Sequence, residues 1–216
     1  MFDLAIVTVQ GIIVQALLDH TKDDKHPNST ERNRALLTAV ESEQHEIVQV
    51  FLNHAINSEC LHYDVIAPLR TAAREEYVII VQQLLRYTVI KGDLSSVFIV
   101  LLKTAEAGDV KAMRLLLKQG AYNSQTDHYR LLIFFGAVQK GHCDVVQLLI
   151  DNGADINQVN GNGNSALILG AICGHVKAVQ LLLDHGADIN HANSTELVPI
   201  FAAAMHGHAE TATLLI

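Results

Sequence analysis

The sequence predicts an all-α solenoid of stacked helix-turn-helix units with extended finger loops, and three observations carry that expectation. Glycines recur every 33 residues, at Gly108, Gly141, Gly174 and Gly207 and again at Gly120, Gly153 and Gly186. Leucine-rich triplets keep step with them, at Leu115–Leu117, Leu148–Ile150, Leu181–Leu183 and Leu214–Ile216. His142, His175 and His208 each follow one of the first glycines directly. A fixed period of roughly 20–50 residues marks a repeat architecture, in which each unit buries its apolar face only against its neighbours.

Within the best-formed copy, Asn160 to Asn190, each element has a local cause. Asn160-Gly161-Asn162-Gly163 is turn chemistry and predicts the tip of a finger. Ala166–Cys173 predicts a short first helix whose Gly170 and Ala171 allow the adjacent copy to come close. Val176–His185 predicts a second helix. Its Ala178, Val179, Leu181, Leu182 and Leu183 cover more than one face, so it must be sandwiched between neighbours. Gly186, like Gly153 and Gly120, falls where a left-handed residue ends such a helix.

This copy reads NGNGNSALILGAICGHVKAVQLLLDHGADIN. It resembles the ankyrin repeat, whose pattern runs D-x-x-G-x-T-P-L-H-x-A-A and then G-H-x-x-V-V-x-L-L-L-x-x-G-A-D-x-N. Gly163, Ser165, Leu167, Ala171, Gly174, His175, Val179, Leu181–Leu183, Gly186, Ala187, Asp188 and Asn190 sit on that pattern. Weaker copies read RALLTAVESEQHEIVQVFLNH from Arg34, APLRTAAREEYVIIVQQLLRY from Ala67, and Ile99–Asn123; Phe2–His20 keeps the end of a second helix. The resemblance implies a single domain over 1–216, with repeats at 1–28, 29–61, 62–93, 94–126, 127–159, 160–192 and 193–216, the first and last incomplete, and so a fragment of a longer protein. No copy keeps the whole T-P-L-H tetrad. Its histidine place holds Leu37, Arg70, Leu102, Phe135, Ile168 and Phe201, so apolar contacts must replace the hydrogen bonds that Thr and His make in the family.

Composition narrows the function. Half of the residues are apolar and the mean hydropathy is +0.22, enough for a core. The longest apolar run, Val97–Leu102, is far short of the roughly 18 residues needed to span a bilayer. The three cysteines, Cys60, Cys143 and Cys173, have unrelated spacings, which points to a reducing compartment and an intracellular, cytoplasmic location. A bacterial effector delivered into a host cytoplasm would meet the same condition. Residues 141–216 carry seven acids against Lys177 alone, a balance unsuited to a phosphate backbone, so nucleic acid is not the expected partner.

The chemical candidates resolve into structural readings. His142, His175 and His208 lie a full repeat apart, too far to share one zinc ion, and are expected to serve the turn between the two helices. His142-Cys143-Asp144 are consecutive on one helix start and do not face each other as a triad would. Cys60, His62 and His54 lack a fourth ligand for zinc, and no phosphate-loop, nucleophile-elbow or dinucleotide fingerprint occurs. No catalytic residue, metal or cofactor is therefore expected. Thr21–Glu31 reads as a solvated finger. Asn157 and Asn190 read as hydrogen-bonding stitches between fingers; in the family, this asparagine is hydroxylated in some intracellular members.

The resemblance implies a protein-protein interaction module that binds through its concave surface of fingers and first helices. An alternative is the substrate-recognition arm of a larger enzyme or secreted effector whose catalytic domain lies outside this chain. Aligned finger tips fall at Tyr63/Asp64, Ser95/Ser96, His128/Tyr129, Gly161/Asn162 and Ser194/Thr195, and first-helix ends at Glu41/Ser42, Arg74/Glu75, Glu106/Ala107, Gln139/Lys140, Ile172/Cys173 and Met205/His206. Side-chain type varies at these places while the framework repeats. The expected partner-binding set is Tyr63, Asp64, Arg74, Glu75, Glu106, His128, Tyr129, Gln139, Lys140, Asn162, Ile172, Thr195, Met205 and His206, anchored by Tyr63, Arg74 and Tyr129. Leu214, Leu215 and Ile216 are expected to form an apolar face prone to self-association.

Overall fold

The computed structural model describes residues 29–57 and 63–216, which hold twelve α-helices. The opening copy, the first part of the Thr21–Glu31 stretch, and Cys60 and His62 lie outside the described residues. Ser29–Glu31, placed in a finger by the sequence reading, are the first turn of a helix.

The chain divides into two compact units at Val100/Leu101. The first holds α1 (Ser29–Glu41), α2 (His45–Ile56), α3 (Ile66–Arg74) and α4 (Val78–Lys91). In it α1 packs on α3 and α2 on α4, so that first helices stack on first helices and second on second. Leu36, Val40, Val48, Leu52, Leu69, Ala72, Ala73, Val81 and Leu84 are fully buried between them. The unit boundary falls within α5 (Leu94–Ala107).

The second unit continues with α6 (Val110–Lys118), α7 (Asp127–Lys140), α8 (Cys143–Asp151), α9 (Ala166–Cys173), α10 (Val176–Asp184), α11 (Pro199–Met205) and α12 (Ala209–Leu214). The same stacking recurs, α7 on α9 on α11 and α6 on α8 on α10 on α12. Ala166–Cys173 is helical over the span that the sequence predicts. Ile133, Val138, Val145, Val146, Leu149, Ile168, Ala171, Val179 and Leu182 fill its core. Among the described residues the one extended pairing is an isolated bridge between Val159 and Ser165, at the base of a finger.

The glycines do what the period implies. Gly120, Gly153 and Gly186 hold φ of 76°, 83° and 84°, the left-handed conformation that an L-residue enters at a cost of about 1–2 kcal/mol. The turn glycines carry a second constraint. A Cβ on Gly108 would lie 2.5 Å from Nδ1 of His142, and one on Gly141 would lie 2.8 Å from Nδ1 of His175; His208 crowds Gly174 in the same way. Each imidazole of one repeat rests on the turn of the repeat before it.

The apolar substitution at the tetrad's histidine place also has a visible consequence. Ile168 is fully buried and Phe135 nearly so, while Ser165 keeps the threonine's part by accepting from the backbone N–H of Ile168 at 3.3 Å and capping α9.

Two fingers differ from the aligned register. Ser95/Ser96 and His128/Tyr129 are not finger tips but lie in the first turns of α5 and α7, which run 14 residues against eight in α9. The physical reason is capping. The Asp93 carboxylate accepts from the Ser96 N–H and from the hydroxyls of Ser95 and Ser96, and Thr126 Oγ1 accepts from the Tyr129 N–H. A side-chain acceptor placed there starts the helix early and absorbs residues that elsewhere form a finger.

Candidate partner-binding surface

The ends of the first helices in the second unit are fixed by the histidines of the next repeat. Nε2–H of His142 donates to the carbonyl of Glu106 at 3.0 Å, that of His175 to Gln139 at 2.9 Å, and that of His208 to Ile172 at 2.9 Å. The three acceptors would otherwise be orphan carbonyls at a helix C-terminus, and the bond fixes the imidazole tautomer. Among the described residues no three His, Cys, Asp or Glu side chains cluster as a metal site would require. The histidines at residues 142, 175 and 208 build the backbone on which the candidate side chains stand.

From that scaffold Gln139 and Lys140 project exposed, as do Met205 and His206. Glu106 is half-buried and paired with Lys103 at 2.8 Å, and Ile172 is half-buried. On α7, His128 is exposed and Tyr129 half-buried, their rings tilted together at 6.0 Å. In the first unit Asp64, Arg74 and Glu75 are exposed. Asp64 is already engaged, its carboxylate accepting from the Ile66 N–H at 3.0 Å, and Arg74 reaches Glu75 at 3.2 Å.

Tyr63 does not belong to this surface. It is only 5% exposed, its ring meets Phe51 edge-on at 5.9 Å, and its N–H donates to the Tyr87 hydroxyl at 3.1 Å. Burial of the phenol, whose oxygen has no hydrogen-bond partner among the described residues, pushes its pKa up to about 12. A large aromatic beside an apolar core is drawn inward, which its finger register does not reveal.

The finger tips are organised by Asn160, which the turn chemistry pointed to, and by Asn193, which the sequence reading did not single out. Asn160 Oδ1 accepts from the N–H groups of Asn162 and Asn164, and Asn193 Oδ1 from those of Thr195 and Leu197. Asn193 Nδ2 then donates to Asn164 at 2.7 Å, and the Ser194 N–H to the Asn162 carbonyl at 3.1 Å, linking consecutive fingers. Their 33-residue spacing was the available signal. Asn162 and Thr195 are left exposed at the tips. Asn157 stitches its neighbour as expected, donating to the Gly186 carbonyl and accepting from the Asp188 N–H.

One concavity lies beside these fingers, a recess of about 250 Å³ bordered by Tyr122, Asp127, Arg130, Phe134 and Asp155. Arg130 occupies one wall of it. Its guanidinium sits 4.9 Å over the Tyr122 ring and donates to the Gly153 carbonyl at 2.9 Å. That arrangement ties the start of α7 to the turn after α8.

The repeat geometry agrees with comparisons to known proteins. The family description "Ankyrin repeats (3 copies)" matches residues 69–160 and 134–216, together well over half of the chain. The chain belongs to the ankyrin-repeat family. Among curated proteins, the mouse 2-5A-dependent ribonuclease is 35% identical over 86 residues, 39% of this chain and 11% of that protein. The matched stretch thus spans about a tenth of that relative's length. No helix among the described residues is long and apolar enough to cross a membrane.

Proposed function

We propose that this chain is a protein-binding module that recognises a macromolecular partner through exposed first-helix ends and finger tips. The supporting observation is a rigid, repeated backbone, clamped by a histidine from the following repeat, that displays a different side chain at each equivalent place. Gln139/Lys140, Ile172 and Met205/His206 fill such places in the second unit, with Glu106, His128, Tyr129, Asn162 and Thr195 beside them. Asp64, Arg74 and Glu75 play this part in the first. With Tyr63 buried, Arg74 and Tyr129 are the anchors.

The acidic balance of residues 141–216 favours a neutral or basic partner segment there and faster association at low salt. The setting is intracellular, the host cytoplasm if the chain is a secreted bacterial effector. The ribonuclease likeness falls within the repeats, so it favours a recognition arm over a catalytic role. Self-association through the last repeat would not use the Leu214–Ile216 triplet as expected, since Leu215 is buried and Leu214 half-buried; Phe201 and Met205, exposed on α11, are the apolar side chains available to it.

The test is affinity capture with the intact chain, followed by titration of the captured protein. The Arg74→Ala/Tyr129→Ala variant should bind at least tenfold more weakly while keeping its helical content. Unchanged affinity for the captured protein would refute this surface.

A further inference from the structure

The second helices present a polar outward face in every described repeat but one. At the second outward position the copies carry Glu46, Lys111, Asp144, Lys177 and Glu210, all exposed. In α4 this position is Ile79, which is 52% exposed. Val78, Val89 and Ile90 stand out from the same helix at 44%, 63% and 48%. At 3.6 residues per turn these four, with the exposed Gln82 and Arg86, fall within about 120° of one another, a single stripe. α4 runs 14 residues against nine in α6, α8 and α10, and Val89 and Ile90 lie in the added turn.

We propose that this stripe is a self-association surface, on which two copies of the chain pair with their α4 helices antiparallel across a two-fold axis. The order of the stripe favours a second copy over an unrelated partner. Reversing the helix about the level of Leu84 carries Val78 onto Ile90, Ile79 onto Val89 and Gln82 onto Arg86. A two-fold contact needs such self-complementarity, because each residue meets its mate twice. Apolar ends then cover apolar ends, and no like charges fall directly opposite.

A second feature of the same face calls for a donor. A groove of about 390 Å³ between α2 and α4 is lined by Leu52, Ile56, Ile79, Gln83 and Ile90, and Gln83 Oε1 is buried there with no hydrogen-bond partner among the described residues. In the antiparallel pair, the second copy's Arg86 arrives opposite Gln82, one residue from that oxygen. Its guanidinium brings five N–H donors to that neighbourhood. A contact made by one helix of about 21 Å and its rim is at the small end of specific interfaces, so the dimer is a weak one.

The intact chain should therefore shift from monomer to dimer in sedimentation velocity between about 10 µM and 1 mM, where an interface of this size associates. Ile79→Glu and Val89→Lys should each weaken the dimer at least tenfold, since each leaves a charge facing an apolar side chain. Mixing the two variants should restore it, because Glu and Lys then meet at one end and Val and Ile at the other. A wild-type chain that stays monomeric to about 1 mM overturns the proposal. So does association that survives Ile79→Glu but is lost in Phe201→Glu, which assigns it to the last repeat, and so does failure of the mixture to recover.

Discussion

Replacing Gly141 with alanine separates two reasons for a glycine that sequence alone merges. Gly120 and Gly141 both hold positive φ, 76° and 72°. A Cβ on Gly120 meets nothing within 4 Å, so Gly120→Ala carries only the left-handed penalty of about 1–2 kcal/mol. A Cβ on Gly141 meets His175 at 2.8 Å from Nδ1 and 2.9 Å from Cγ. The ring must move, and with it the Nε2–H bond to the Gln139 carbonyl at 2.9 Å, a loss of about 1 kcal/mol before repacking. Gly141→Ala should then cost about 2–4 kcal/mol in all. The entropy that alanine removes from the unfolded chain is the same at both sites and cancels in the comparison. Urea unfolding of the two variants and the wild type measures the difference. In a His175→Ala background the extra cost should vanish, leaving about 1–2 kcal/mol. Equal costs at residues 120 and 141, or no coupling to His175, would refute the clamp.

Three further outcomes follow from the same geometry. Glu43, Glu76 and Glu196 hold φ of 54°, 61° and 62° without being glycine, so Glu76→Gly should raise stability by about 0.5 kcal/mol, read as a higher thermal midpoint. Tyr63 has a pKa raised from 10.0 to about 12 by burial; stability that depends on its neutral phenol is present below pH 10 and is lost as pH rises from 10 toward 12. That loss amounts to about 2–3 kcal/mol, and Tyr63→Phe should remove this share of the alkaline fall in denaturation midpoint while costing nothing at pH 7. Asn157→Ala should destabilise by about 1 kcal/mol and speed amide exchange at Asp188, whose N–H it leaves without the Asn157 oxygen.

The glutamates at positive φ also show why some of the sequence pattern breaks where it does. Gly108, Gly141 and Gly174 each lie under a histidine of the following repeat, and Gly163 lies under the backbone of Ser194. Glu43 and Glu76 take the place of the turn glycine in repeats whose successors carry Tyr77 and Asp109 instead of that histidine. Glu196 takes the place of Gly163. Where the following repeat supplies no histidine, as after Glu43 and Glu76, the turn holds a residue with a Cβ at positive φ. The period was legible because it repeats. The pairing of glycine with a histidine 34 residues later is a contact between neighbours, and only coordinates reveal it.

The candidate surface divides along the same line. Which residues vary at first-helix ends could be read from alignment, since the turn that follows them is marked by glycine and histidine. Exposure could not be read so well, because it depends on what the neighbouring repeat covers. Tyr63 was placed outside by register and lies inside by packing against Phe51 and Tyr87. His128 was placed at a tip and lies in a helix, because Thr126 caps α7 one residue before Asp127. The capping residues were visible in the sequence, whereas their precedence over the finger register was seen only in the structure.

By itself the sequence determined the all-α repeat, its 33-residue step and the left-handed turns at Gly120, Gly153 and Gly186, because these follow from local conformation and from apolar periodicity. Tertiary structure decided how far each first helix extends, which aromatic side chains are covered, and that α4 alone among the described second helices turns branched apolar residues outward. Those outcomes depend on the free energy of contacts between repeats. A side chain's identity sets the strength of such a contact, but whether a neighbour arrives to make it is a property of the stack.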